Sequence, residues 1–168
     1  MSSKKSKLEI EQIEVIDPEY LGKTIDEVYL SKKRSEFPRG HIKSSKDCFN
    51  YIRQFYGEDI NIYESVFILC LSNSNETIGF AKISQGGIRG TIVDIRLIAK
   101  IALDTLAVSV ILAHNHPSGT LKPSEADKSL TRKLENGLAT LDIKLLDHII
   151  LTDKAYYSFA DENQLLKH

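Results

Sequence analysis

Apolar residues recur along the chain with two different spacings, and the alternation between them predicts an order of strands and helices. Continuous apolar runs at Glu64–Leu71 and at residues 107–113 (AVSVILA) predict strands that are covered on both faces. The polar turn SNSNE separates the first run from a second predicted strand, Thr77–Ser84, so these two are expected to form a hairpin. Further strands are predicted at Ile143–Leu151 and Ala155–Phe159.

Three segments show the three-to-four-residue spacing of amphipathic helices. The first is capped by Ser44 or Ser45 and runs to about Tyr56. The second is capped by Asp94 and runs to about Thr105, and the third runs from Ser124 to about Asn136. The inward positions of the three predicted helices are Cys48, Ile52 and Phe55; Ile95, Ile98, Ala99 and Ala102; and Leu130, Leu134 and Leu138. Strands that alternate with helices predict an α/β layered domain.

The first 43 residues differ from this pattern. Apolar residues alternate with acids between Leu8 and Ile16, which predicts a half-buried strand. Residues 31–46 contain six Lys and Arg together with Pro38 and Gly40, which is typical of a loop. We therefore predict an N-terminal extension and basic linker at 1–43, followed by one domain at 44–168.

Composition and charge predict the general class of protein but not its function. The chain has 168 residues, 42% of them hydrophobic, so one domain with a proper core is expected. Twenty-two basic and 23 acidic residues leave a formal charge of −1, which gives no general attraction to nucleic acid or membranes. No apolar stretch approaches the ~18 residues of a membrane span, and no signal peptide is evident. With Cys48 and Cys70 outside any CxxC pair, these features predict a soluble, cytoplasmic protein.

The candidate chemistry begins with two histidines at the end of a predicted strand. His114 and His116 are separated by one residue, so both side chains are expected on the same face of the strand, in line with Val110 and Leu112. Pro117 and Gly119 follow at once and end the strand. A single histidine is most often a structural residue, but two on one face at a strand end favour a metal site.

Asp127 is the natural third ligand, although it also has a purely structural interpretation. Ser124-Glu125-Ala126-Asp127 fits the capping box that begins many helices. Asp127 lies three residues before Leu130, close to the buried stripe, and an inward carboxylate needs a compensating partner. Two histidines and one carboxylate with an open fourth position are typical of catalytic zinc.

Three further polar residues are candidates for supporting roles. Glu64 shares an otherwise apolar strand face with Val66 and Ile68, which makes it a candidate general base, unless it simply begins the strand in solvent. Asp147 and His148 form a polar pair in the strand LLDHII and could support the ligands from behind. His148 is also the alternative to Asp127 as a direct ligand.

The same residues carry a resemblance to a known family. The string His114-x-His116-Pro117, followed after six residues by Ser124-x-x-Asp127, resembles the JAMM motif of the MPN-domain metalloproteases. The segment ESVFILC at 64–70 looks like the strand that supplies that family's catalytic glutamate. Longer stretches resemble its RadC branch: ISQGGIRGT (83–91), VILAHNHPSG (110–119), PSEADKSLT (123–131), LLDHII (145–150) and YYSFAD (156–161).

This resemblance covers roughly residues 44–166 and implies both a fold and a set of roles. The fold is an MPN (JAB)-like α/β domain with a central mixed β-sheet flanked by helices and a short N-terminal extension. Residue by residue, it implies that His114, His116 and Asp127 are zinc ligands. It also implies that Glu64 is the general base and that Ser124 helps the metal stabilise the oxyanion.

The leading hypothesis is a zinc-dependent hydrolase of the JAMM type with about one zinc ion per chain. It would act as a metallopeptidase that cleaves an amide or isopeptide bond of a peptide or protein through a zinc-activated water. The alternative is a DNA-associated accessory protein or metal-dependent nuclease of the RadC type, suggested by the basic 31–46 segment. RadC proteins commonly carry a helix-hairpin-helix region, whereas the residues before Glu64 are charged and partly strand-like. A catalytically silent scaffold is the third possibility.

Overall fold

One mixed β-sheet organises the part of the chain that the computed structural model describes, residues 33–86 and 92–166. Its strands in chain order are β1 (Ser65–Leu71), β2 (Thr77–Gln85), β3 (Ser109–Asn115), β4 (Lys144–Leu151) and β5 (Tyr156–Ser158). Across the sheet they follow the order β2-β1-β3-β4-β5. Strands β3 and β4 are parallel and every other neighbouring pair is antiparallel. The predicted hairpin and mixed sheet are confirmed.

Within the described residues, three α-helices lie against the sheet, and polar side chains cap all three. They are α1 (Ser45–Arg53), α2 (Ile95–Thr105) and α3 (Glu125–Ala139). Side-chain oxygens of Ser44, Asp94 and Ser124 accept backbone N–H groups of the first turn, as the sequence predicts. Helix α1 ends at Arg53 rather than near Tyr56, and a 3-10 turn, Glu58–Asn61, follows it. The turn was not predicted because four residues are too few to show a periodicity.

The hydrophobic core is divided by the sheet into two clusters. On one face, Phe67, Leu69 and Leu71 pack with Cys48 and Ile52 of α1. On the other, β1 contributes Val66, Ile68 and Cys70, which pack with residues of α2 and α3. Strand β3 follows the same alternation, with Ile111 and Ala113 toward α1 and Val110 and Leu112 toward α2 and α3. The predicted burial of both strands on both faces is confirmed, and the pleat puts His114 on the α2/α3 face.

Packing begins slightly before the predicted boundary at residue 44. Ile42 is buried and donates its N–H to the carbonyl of Asn75, while His41 forms an isolated bridge with Glu76. The predicted strand Leu8–Ile16 and the second half of the stretch ISQGGIRGT (83–91) lie outside the described residues. Among the helices of the described parts, none is long and apolar enough to cross a membrane.

A buried carboxylate fastens the end of the domain to the sheet. Asp147 accepts hydrogen bonds from the hydroxyl of Ser158 and from the backbone N–H groups of Ala160 and His148. Burial nevertheless dominates and raises the pKa of the Asp147 carboxyl to about 6. The protonated form is therefore favoured in the folded protein relative to the unfolded chain.

Replacing Asp147 should make stability less dependent on pH. A carboxyl whose pKa is raised by folding contributes stability that is full below its unfolded pKa and is lost as the pH rises through the folded value. Between pH 4 and pH 7 the wild type should lose up to about 3 kcal/mol relative to Asp147→Asn. Urea unfolding of both proteins across this range measures the difference, in which the other titrating groups cancel. A pH-independent difference would contradict the assignment.

Candidate metal centre

Three predicted ligands converge on the α2/α3 face, at the end of β3. The Nε2 atoms of His114 and His116 are 3.0 Å apart. The Asp127 carboxylate places Oδ1 3.2 Å from Nε2 of His114 and Oδ2 3.6 Å from Nε2 of His116. His114 is almost fully buried, whereas His116 and Asp127 stay partly accessible, with 14% and 13% of their side chains exposed. The group is thus open to solvent on one side only.

A tight turn after β3 holds His116 in this position. The N–H of His116 still pairs with the carbonyl of Leu151, so the residue stays attached to the sheet. The chain then reverses, and Gly119, with φ at +79°, donates its N–H to the carbonyl of His116. This reversal brings the carbonyl of Thr120 2.8 Å from Nδ1 of His116. The ring is thereby oriented with Nε2 toward His114.

Asp127 belongs both to the helix cap and to the three-residue group, so its two interpretations are compatible. Its Oδ2 atom accepts from the backbone N–H of Ser124 at 2.7 Å and from the Ser124 hydroxyl at 2.6 Å. The Ser124 hydroxyl in turn accepts from the N–H of Asp127, which completes a capping box. Oδ1 is left facing His114. Capping therefore fixes the orientation of the carboxylate.

A chain of buried hydrogen bonds runs from His114 to the backbone of Asp127. Nδ1 of His114 lies 2.9 Å from Nε2 of His148, and Nδ1 of His148 lies 2.6 Å from Oγ1 of Thr131. The hydroxyl of Thr131 donates to the carbonyl of Asp127 at 2.7 Å. Thr131 was not singled out from the sequence. Its position four residues after Asp127, within the buried stripe of α3, is the signal that could have found it.

When all three imidazole rings are neutral, only one distribution of protons satisfies this chain. Because the Asp127 carbonyl can only accept, the Thr131 hydroxyl donates to it and accepts from Nδ1–H of His148. Nε2 of His148 is then an acceptor for Nδ1–H of His114. His116 likewise donates from Nδ1 to the Thr120 carbonyl. Each predicted histidine ligand therefore keeps its lone pair on Nε2, where the two rings and the carboxylate face one another.

The close approach of these side chains shifts their pKa values. Burial alone would raise the pKa of the Asp127 carboxyl, but hydrogen bonds from the protonated forms of His114 and His116, and from Ser124, hold it well below its usual range. The hydrogen bond to Asp127 raises the pKa of His116. Burial lowers the pKa of His148 well below its usual value, so that ring is neutral. An anion and two imidazole lone pairs at this separation require a cation among them, either a proton or a metal ion.

The arrangement fits zinc by donor type and by spacing. Zinc is bound by imidazole nitrogen and carboxylate oxygen, and donors around a tetrahedral ion lie roughly 3.3 Å from one another. The three separations here, 3.0, 3.2 and 3.6 Å, bracket that value. All three residues offer ligand atoms close enough to share one ion.

Glu64 interacts electrostatically with all three residues of the group. Val66 pairs with His114 across β1 and β3, so the pleat puts Glu64, two residues earlier, on the same face at the open end. The half-buried Glu64 carboxyl has a raised pKa. Burial is the main cause, Asp127 adds to it, and the charges of His114 and His116 oppose it. Glu64 is therefore not simply a strand end in solvent.

The structure separates the two members of the predicted Asp147–His148 pair. His148 contacts His114 directly, and its ring also stacks on Phe159 with the centroids 4.7 Å apart. Both of its ring nitrogens are engaged, so the alternative in which His148 replaces Asp127 as a ligand is not supported. Asp147 pairs with Ile111 and lies on the opposite face of the sheet, away from the three-residue group.

These features define an α/β domain of the MPN or JAB type with a His, His and Asp group at the end of its central strand. Residues 42–165 match the family described as the RadC-like JAB domain. The chain belongs to that family.

Curated relatives support the assignment. A UPF0758 protein of Flavobacterium johnsoniae is 50% identical over 121 residues, which are 72% of this chain and 52% of that protein. UPF0758 proteins of Porphyromonas gingivalis and Herminiimonas arsenicoxydans are 45% and 47% identical over 103 residues, 61% of this chain. The aligned stretch is 45% and 46% of those two proteins. The chain therefore spans about half the length of these relatives.

Removing the Thr131 hydroxyl should weaken metal binding without touching a predicted ligand. Thr131→Val leaves Nδ1 of His148 without its acceptor and frees the two rings to change tautomer. We expect zinc affinity to fall about 10- to 100-fold, the usual effect of losing a group that orients a ligand. Competition with a fluorescent zinc chelator measures the affinity.

Thr105→Val is the matched control for this experiment. The Thr105 hydroxyl also donates to a carbonyl four residues earlier, that of Ile101, but in α2. Its loss should leave zinc affinity unchanged. Equal affinities for wild type and Thr131→Val would show that the hydrogen-bonded chain does not orient His114.

Proposed function

We propose that this chain is a zinc-dependent hydrolase of the JAMM type that cleaves amide or isopeptide bonds. The single observation that carries the proposal is the convergence of two imidazole lone pairs and one carboxylate, with the carboxyl of Glu64 beside them. Membership of the RadC-like JAB family supports it, since related JAB domains include metal-dependent hydrolases. The proposed substrate is a peptide or protein.

In this proposal the chain's own residues hold the metal and move protons. His114, His116 and Asp127 would hold zinc, which when bound polarises a carbonyl and lowers the pKa of water. Glu64, with its raised pKa, would accept a proton from the attacking water at its carboxylate oxygen. It would then pass that proton to the leaving nitrogen. Half-burial beside the histidines suits a group that must hold and release a proton.

The role of Ser124 in this proposal is limited by its hydrogen bond to Asp127. Its hydroxyl donates to Oδ2 of Asp127, so in the present geometry its proton is not available to a substrate. To stabilise an oxyanion, the hydroxyl must rotate toward the substrate. Asp127 would still keep the hydrogen bond from the Ser124 backbone N–H. The proposed role therefore needs no rearrangement of the helix.

We also infer a reducing cytoplasmic location for this enzyme. Cys48 and Cys70 lie in core clusters on opposite faces of the sheet, so they cannot form a disulfide with each other. Burial raises the pKa of the Cys48 thiol well above its usual value, which makes it an unreactive core residue.

Zinc content and a conservative change at Glu64 test the main proposal. Purified protein should bind about one zinc ion per chain, measured by elemental analysis. Glu64→Gln keeps the size of the side chain but cannot accept a proton, so peptidase activity should fall by about 10²- to 10⁴-fold. Activity is measured on a mixed peptide library by mass spectrometry, with zinc content measured in parallel.

Glu76→Gln is the control, since Glu76 is an exposed glutamate just before strand β2, at the opposite end of β1 from the pair Val66 and His114. It should match the wild type in both zinc content and activity. A fully active Glu64→Gln protein would overturn the role given to Glu64. Protein that binds no zinc would overturn the metal proposal itself.

An accessory role on DNA is the second candidate, and one surface feature favours it. The side chains of Arg34, Arg39, Lys43 and Lys46, which belong to the basic 31–46 segment, are all exposed. With a formal charge of −1 for the whole chain, attraction to phosphates would need a local basic group of this kind.

The salt dependence of DNA affinity distinguishes binding through this basic group from weak, non-specific adsorption. If the basic group binds phosphates, Arg34→Gln, Arg39→Gln and Lys43→Gln together should flatten the salt dependence of binding. The slope of log K against log salt should shrink by about 0.9 for each duplex phosphate that the variant no longer neutralises. Fluorescence anisotropy on a labelled duplex measures this slope.

The control variant replaces Lys100, Arg132 and Lys133 with glutamine, which removes equal charge elsewhere and should leave the slope unchanged. Weak binding that does not respond to salt would exclude the role.

A further inference from the structure

The residue between the two histidines points the opposite way and is fully buried. Asn115 is the last residue of β3, so the pleat sends its side chain to the face opposite His114 and His116. An amide side chain offers one acceptor oxygen and two N–H donors. Asn115 uses all of them on backbone groups. Oδ1 accepts from the N–H of Ser65 at 2.7 Å, while Nδ2 donates to the carbonyls of Ile60 and Tyr63 at 2.5 and 2.8 Å.

These three partners lie on both sides of Glu64. Ile60 lies in the 3-10 turn and Tyr63 just after it, both before Glu64, whereas Ser65 follows Glu64 as the first residue of β1. The backbone pairing of β1 with β3 begins only at Val66, opposite His114. The Asn115 amide therefore continues the attachment of β1 to β3 past the end of the ladder.

Apolar packing gives the two residues just before Glu64 little support. Ile62 and Tyr63 are both exposed, at 55% and 42%, so they add few apolar contacts. On the β2 side, the Glu64 carbonyl accepts from the N–H of Gly86. The Asn115 amide bonds the N–H of Ser65 and the carbonyl of Tyr63, and the buried Tyr56 hydroxyl donates to the Ser65 carbonyl at 3.0 Å.

We propose that Asn115 is a positioning residue, whose amide fixes the backbone around Glu64 relative to the two histidines. This inference rests on the proposed role of Glu64 as the general base. The end of β3 then fixes both the position of the two histidines and the position of the segment that carries Glu64. His114 and His116 hold the metal on one face, while Asn115 ties the segment that carries the base from the other face. A shift of about 1 Å in such a group is costly to catalysis.

Replacing the amide with an apolar side chain of similar size tests the proposal. Asn115→Leu should speed amide hydrogen exchange at Ser65 by about tenfold or more, because its acceptor is lost. Cobalt replaces zinc as the probe, since its visible absorption responds to groups around the metal. The band of the Co²⁺-loaded Asn115→Leu protein should change in the same way as that of Glu64→Gln.

A control variant and a substitute variant complete the experiment. Ile111→Ala removes a buried side chain from the same face of β3 and so destabilises the strand, but Ile111 pairs with Leu69 and Asp147 rather than with the residues flanking Glu64. It should leave the cobalt band as in the wild type. If Asn115→Leu does not fold, Asn115→Ser provides the test. Its hydroxyl is too short to reach both sides of Glu64, so the same exchange and spectral changes are expected.

The outcomes are distinct. Faster exchange at Ser65 together with a cobalt band like that of Glu64→Gln supports the proposal. Faster exchange with an unchanged band, when Glu64→Gln does change it, shows that Asn115 is merely structural. Unchanged exchange at Ser65 overturns the proposed attachment. If Glu64→Gln itself leaves the band unchanged, the role of Glu64 fails, and the inference about Asn115 fails with it.

Discussion

The pleat at the end of β3 is the constraint on which the rest of the site depends. Successive side chains leave a strand on opposite faces, so His114 and His116 point together and Asn115 points away. Strand β3 lies between β1 and β4, where ladders on both sides prevent fraying. Two neighbouring imidazoles placed on an exposed loop would separate to reduce their repulsion. Here the sheet and the following turn hold them 3.0 Å apart.

This arrangement stores an electrostatic cost that a cation relieves. The hydrogen bonds of His148, Thr131 and the Thr120 carbonyl commit the Nδ1 protons of both predicted ligands, which leaves two lone pairs facing the Asp127 carboxylate. Protonation of His116 relieves part of the repulsion, and its raised pKa reflects this. A metal ion would compete with that proton, so occupancy of the proposed site should depend on pH.

Helix α3 links the stability of the fold to the geometry of the site. The capping box of Ser124 and Asp127 satisfies the first N–H groups of the helix and, through Oδ2, orients the carboxylate. One turn later, Thr131 closes the hydrogen-bonded chain back to His148. A change at the helix start would therefore alter both helix stability and the site.

Much of this could be read from the sequence, because strand and helix periodicities are local. They predicted the hairpin, three capped helices, the covered strands and the histidine pair on one face. They could not decide whether Asp127 is a helix-capping residue or a metal ligand. They also treated Asp147 and His148 as one polar pair, because the two are adjacent in the sequence. Only the tertiary structure decided these points. It showed that Oδ1 and Oδ2 of Asp127 serve different partners, and that Asp147 and His148 lie on opposite faces. Thr131 and Asn115 act on residues distant along the chain, and spacing within one element carries no information about such contacts.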